Sequence, residues 1–219
     1  MATGQSHGEK QIVTATAPGA EKIVVRNCKN IAEFKACVAL QKEVWNFDDR
    51  DLVPLRMFVV SQKIGGQIIG AFDGEELVGF VFSIPAERGG RPYLHSHMLA
   101  VRASWRNYGL GRRMKLAQRE DALANGFELI EWTFDPLEIK NAHLNLVRLG
   151  AIARRYSVNH YGDSSSPLQG GLPTDRLVAE WWLKSRRVAE LLEGGRAPRF
   201  QVEKTIGVPE QIYAWKASA

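Results

Sequence analysis

Residues 95–113 read HSHMLAVRASWRNYGLGRR, and they constrain the fold more than any other stretch. An alternating segment with two histidines runs into a loop of the form Arg-x-x-Gly-x-Gly, which opens a helix beginning with Arg112 and Arg113. Glycines at 109 and 111 let backbone amides approach a bulky anion. The helix start adds unpaired amides and a positive dipole end. Arg106, Arg112 and Arg113 add formal charge. A pyrophosphate fits such a nest. A tight strand-to-helix turn would use the same glycines, so the loop alone leaves both readings open. A Walker loop needs Gly-Lys-Ser/Thr, and the residues after Gly111 are Arg112-Arg113. A dinucleotide fold wants a third glycine, early in an alternating parallel unit.

The flanking pattern supplies a sheet for this stretch. Segment 22–28 is short and β-branched, and reads as a strand. Asn30 caps a helix over 31–45, and Pro54 opens a second one toward Gly65. Segments 67–72 and 76–84 flank Asp73-Gly74 as a hairpin, 88–92 reads as a Gly/Pro loop, and 93–102 is the third strand. A helix follows over 110–124. Leu110, Met114, Ala117 and Ala124 form one face, and Arg112, Lys115 and Arg119 a polar one. Then come a strand at 127–134, a helix at 138–149 capped by Gly150, a strand at 151–160, a loop at 163–171, a strand at 176–183 and a short helix at 187–192. This order predicts a mixed sheet with helices on both faces.

Composition narrows the class. With 219 residues, 45% hydrophobic and 24% charged, the chain suits one folded domain. We read 1–20 as a flexible N-terminal tail, 21–195 as the domain and 196–219 as a C-terminal extension. The net charge of +5 suits an anionic small ligand, and without dense Lys/Arg runs it disfavours nucleic acid. No stretch approaches the ~18 apolar residues of a membrane span, and 1–20 lacks a signal-peptide core. Cys28 and Cys37 read as reduced thiols. A cytoplasmic protein without membrane partners is expected.

The order of apolar strand, Val101, four residues, Arg-x-x-Gly-x-Gly and helix resembles motif A of the GNAT acyltransferases. The strand at 127–134, and the helix carrying Asn141 and ending in Arg148-Leu149-Gly150-Ala151, resemble their motif B. The resemblance covers about 22–183 and is most specific over 95–150. It implies an α/β fold with a GNAT-like mixed, mostly antiparallel sheet, and an acyl-CoA N-acyltransferase without a metal. Acetyl-CoA or another acyl-CoA would be the co-substrate. Carried over residue by residue, Leu99, Ala100 and Val101 line the pantetheine arm. Arg106, Asn107, Tyr108, Gly109, Leu110, Gly111 and Arg112 hold the phosphates, and Asn141 contacts the coenzyme near the arm.

His95 and His97 are two residues apart, so a strand points both to one face. An amine must be neutral to attack. At pH 7 this costs an alkylamine about 4–5 kcal/mol and an α-amino group only ~1.4 kcal/mol. Histidine relays such a proton directly or through water; a hydrogen-bonded core histidine is the plainer alternative. His-x-His-x-Leu-Ala-Val ahead of the glycines resembles the arylalkylamine N-acetyltransferase branch, which implies His95 as base and His97 as its relay. Many relatives place a tyrosine four residues before the motif B glycine to protonate the leaving thiolate; here that residue is Leu146. Asn145, Tyr156 and Tyr161 stay open as acids. His143 reads as a surface or packing residue, and His160 as within reach of a substrate. HSHM, FDPLEIKNAHLNLVRLG and NHYG resemble a bacterial branch associated with N-acylamino acid racemases, which implies transfer of acetyl or succinyl groups to a primary amine, such as that of an amino acid, in a ternary complex. A homodimer is left open. The rival is a degenerate acyl-CoA-binding sensor.

Overall fold

The computed structural model describes residues 22–162 and 171–194. The segments read as an N-terminal tail and a C-terminal extension, and most of the loop at 163–171, lie outside them. Seven strands form one sheet: β1 (Val24–Asn27), β2 (Gln67–Asp73), β3 (Glu76–Arg88), β4 (Arg91–Val101), β5 (Leu129–Phe134), β6 (Ile152–Ser157) and β7 (Arg176–Trp182). Their spatial order is β1-β2-β3-β4-β5-β7-β6. Every neighbouring pair is antiparallel except β4 with β5. The expected mixed, mostly antiparallel sheet is therefore present.

Helices cover both faces because the strands alternate. Along β2, Ile68 joins a cluster with Phe34, Phe58, Phe80 and Phe82 beneath α1 (Ile31–Trp45) and α2 (Leu55–Lys63). Its neighbour Ile69 packs on the opposite face with Leu110 and Met114 of α3 (Leu110–Ala124). Farther along that face, Leu94, Ile130 and Trp181 pack with Ala122 of α3 and Val188 of α5 (Arg186–Gly194).

Local chemistry fixes several boundaries. Asn30 accepts a hydrogen bond from the Glu33 amide at 3.0 Å, and the Glu33 carboxylate accepts from the Lys29 amide at 2.7 Å. Both satisfy orphan donors at the start of α1. Asn30→Ala is expected to lower stability by about 1 kcal/mol, read from the urea midpoint. The expected loop at 88–92 contracts to a two-residue turn. Arg88 pairs with Arg91 across Gly89 and Gly90, whose φ angles are 58° and 73°. Two successive positive φ values match the twist of the flanking strands, so β3 and β4 run to the turn itself.

The helix after β5 is uneven. A single turn, α4 (Ile139–Ala142), widens into a π-turn over His143–Arg148, where the Leu149 amide bonds the Leu144 carbonyl five residues back. Among the described residues no helix is long and apolar enough to cross a membrane. Among the same residues no group of three His, Cys, Asp or Glu is placed to hold a metal ion.

Candidate active site

The site starts from a failure of pairing. On one side β4 pairs with β3 throughout. On the other it meets β5 only at Leu94 with Ile130 and His95 with Glu131. From there β5 follows β7, and the two strands diverge. The edge of β4 from Ser96 to Val101 thus faces a wedge with no sheet partner, and its backbone groups need another one.

A bulge sets what faces the wedge. Phe82 opposes Met98 and Ser83 opposes Ser96, so His97 is an extra residue in β4. Before it, Leu94 and Ser96 point toward α3: Leu94 packs with Ala122, and Ser96 bonds Lys115 and Gln118. Beyond it, Met98 and Ala100 pack with Phe58 and Phe82 on the α1–α2 face, and Leu99 and Val101 take the α3 face. One added residue has exchanged the two sides of the strand.

His95 and His97 lie together at the apex of the wedge. Their ring centroids are 6.0 Å apart, and His97 meets the Phe82 ring edge-on at 6.1 Å. Both are half-buried. Burial, then the neighbouring His97, pulls His95 down to about 4, against the opposing pull of Glu131. Burial lowers His97 as well. Both imidazoles are therefore neutral near pH 7, with a nitrogen lone pair free to accept a proton.

A charged wall stands beside the pair. Burial alone would raise the Glu131 carboxyl, but Arg88 and Arg155 outweigh it and hold it below the usual carboxylate range. Arg88 is bidentate to Glu131 at 2.7 and 2.8 Å, and Arg155 reaches it at 2.7 Å. Glu180, opposite Glu131 on β7, binds Arg154 and Arg155. The polar candidates for an acid are scattered. Tyr161 borders the wedge through Thr133 of β5, at 2.7 Å, with the His160 ring against it. Tyr156 is tied to Asp175 at the surface, and Asn145 is buried in the π-turn. The Leu146 carbonyl accepts from Arg187 at 3.0 Å.

At the far end of the wedge lies the glycine loop. Asn107 and Gly109 have φ of 69° and 78°, and Gly109 caps α3. Among the described residues, no atom other than those of its chain neighbours lies within 4 Å of where a Cβ on Gly109 would sit. A Cβ on Gly111 would touch Leu99 at 3.7 Å and Leu144 at 4.0 Å. The loop thus has open space beside Gly109, while Gly111 sits against Leu99 and Leu144. Arg112 has a buried Nε with no hydrogen-bond partner. Burial, then the like charge of Arg148, lowers its proton affinity. An orphaned buried donor beside a second guanidinium is what an anion would relieve.

One sequence reading changes here, and two arginines gain a place. Arg113 donates to the Ile23 carbonyl at 2.6 Å and ties down the start of the sheet. Arg148, from the motif B ending, stands beside Arg112. Lys115 is not on a polar face, being 2% exposed. It falls on a second buried stripe of α3 with Gln118 and Ala122, because a helix lying across a sheet buries more than one row. Asn141 is exposed on α4.

Solved structures share this architecture. A Salmonella typhimurium protein solved with its cofactor acetyl-CoA is 14% identical, with a TM-score of 0.61, over 75% of this chain and 96% of its own. The Escherichia coli ribosomal-protein-S18-alanine N-acetyltransferase is 10% identical, with a TM-score of 0.59, over 74% and 95%. A GNAT-family acetyltransferase from Streptococcus pneumoniae is 16% identical, with a TM-score of 0.58, over 72% and 98%. At these identities the likeness is one of fold. No curated protein sequence matches the chain. The profile of the acetyltransferase (GNAT) family matches residues 33–146, just over half of the sequence. With the split sheet and the glycine-capped helix on top of that match, the chain belongs to the GNAT family and is an acetyltransferase.

Proposed function

We propose that the chain transfers an acetyl or succinyl group from coenzyme A to the primary amine of a small molecule such as an amino acid, by direct attack in a ternary complex. The observation that carries this is the neutral histidine pair at the apex of a wedge whose other end is the glycine loop with the unpaired Arg112 Nε. The residues fit an acyl-CoA. The amides of 109–112 and the orphaned Arg112 take the pyrophosphate, with Arg106, Asn107 and Tyr108 completing the loop. The free edge at Leu99, Ala100 and Val101 takes the amides of the pantetheine arm, and Asn141, exposed on α4, contacts the coenzyme near that arm. Acetyl-CoA in the Salmonella neighbour supports the donor, and the E. coli neighbour's alanine target supports a nitrogen acceptor.

His95 acts as the base and His97 as its relay. With a pKa of about 4, His95 would not deprotonate a free alkylammonium appreciably. It takes the proton from a nitrogen already bonding to the carbonyl, which is far more acidic, so a weak neutral base suffices. The pH dependence follows. His95 is deprotonated above about 4, so kcat/KM should rise with pH until the acceptor amine is itself neutral, with no inflection at the ordinary imidazole value of about 6.5. A clear inflection there, lost in His95→Gln, would contradict a buried neutral base.

Thiol release from acetyl-CoA and succinyl-CoA against a panel of amines tests the reaction. Leu146, which presents no hydroxyl, favours the rival of a coenzyme A sensor without turnover. Binding of acetyl-CoA with no thiol release for any amine would establish that rival.

A further inference from the structure

Ser96 and Trp132 are the first residues beyond the last paired positions of β4 and β5. Lys115 touches both. Its Nζ donates to Ser96 Oγ at 2.8 Å and lies 3.9 Å from the centre of the Trp132 ring, with Gln118 Oε1 at 3.0 Å. The ammonium therefore spans the apex of the wedge on the α3 face, while His95 and His97 hold it on the other.

The partners of this lysine are all neutral. Among the described residues no carboxylate lies within ion-pair distance of it. The titratable group coupled to it is His95 on β4; Glu131 on β5 is engaged by Arg88 and Arg155, and Asp121 on α3 accepts from Gln67 at 2.7 Å. A buried ammonium without a counter-ion is costly, and burial pulls Lys115 down to about 7. A methionine would fill the same space without that cost. Acyl transfer generates an anion when the sulfur of the thioester departs, and a buried ammonium at the apex stabilises it.

We propose that Lys115 is the group that receives and protonates the leaving sulfur of coenzyme A, the role left open by Leu146. This rests on the acyl-CoA reading above. As the amine nitrogen bonds to the carbonyl carbon, the carbon–sulfur bond breaks and its electron pair stays on sulfur. A proton passes from Lys115 Nζ to that sulfur, giving the thiol and a neutral lysine. The proton lost by the nucleophile goes to His95. The enzyme ends with one proton gained at His95 and one lost at Lys115, with no net change in its protons.

The test reads the coenzyme rather than turnover. Coenzyme A is bound to the full chain and to K115M and K115Q, and ionisation of its thiol is followed against pH by thiolate absorbance. In the wild type the bound thiol should ionise about one unit below the ordinary thiol value of about 8.5. In both variants it should ionise above that value, because the site stays buried and loses its cation. Turnover with acetyl-CoA should fall about 100-fold, and less with an acyl donor whose thiol is more acidic. K115Q keeps a hydrogen bond to Ser96 without the charge, so it serves if K115M misfolds. Identical thiol ionisation in all three proteins would overturn the role of Lys115 while leaving the acyl-CoA reading intact. Failure of the wild type to bind coenzyme A would overturn both.

Discussion

His95→Ala is expected to lower kcat by about 100- to 1,000-fold while the dissociation constant for acetyl-CoA stays within about twofold. The split follows from position. His95 is the last residue of β4 paired with β5, and the free edge begins one residue later, so the change removes the base without touching the nest 14 residues on. Its partner predicts a graded result. His97→Ala should cost less, about tenfold, because His97 relays a proton that water can also carry. A stability check accompanies both, since truncating a half-buried ring beside Phe82 leaves a gap. Unchanged kcat in His95→Ala would remove the proposed base.

Gly109→Glu should cost at least 100-fold in coenzyme A affinity. Two effects act together. At φ of 78° a side chain with Cβ costs about 1–2 kcal/mol in strain. A carboxylate placed in the open space before the loop's amides would also repel the pyrophosphate. The control separates them: Gly109→Ala carries only the strain and should lose about tenfold at most, and Gly109→Asn, a residue that tolerates this conformation, still less. No neighbour is crowded by a Cβ there, so the fold should persist. Titration calorimetry with coenzyme A measures all three, and wild-type affinity in Gly109→Glu would refute the phosphate assignment.

Local signals made much of the fold legible. The limits of α1 and α3 fall at 31–45 and 110–124, as the sequence indicates, because Asn30, Gly109 and Asn125-Gly126 punctuate the chain within a turn of each boundary. The histidine pair was legible for the same reason, since spacing two on a strand fixes a face. The missing parts are set across the fold. The extra residue at His97 exists only relative to its partners on β3, and no pattern within β4 announces it. Lys115 was misplaced because a charged residue beside a polar stripe is normally solvated, and only the packing of α3 against Ser96 and Trp132 buries it. The contacts of Arg113 and Arg148 were not legible because reach depends on where Ile23 and the π-turn come to rest.

The unmatched residue in β4 also governs how this strand tolerates changes in length. Upstream and downstream of His97 the strand has opposite parity: even-numbered positions face α3 before it and face α1 and α2 after it. Removing one residue there would restore simple alternation. It would then either turn Met98 and Ala100 out of the phenylalanine cluster or turn both imidazoles away from their side. Substitutions on the two segments can accumulate separately, but an odd change in their spacing cannot be absorbed. The distance from His95 to the glycines, counted along the chain, is thus a fixed quantity in this protein.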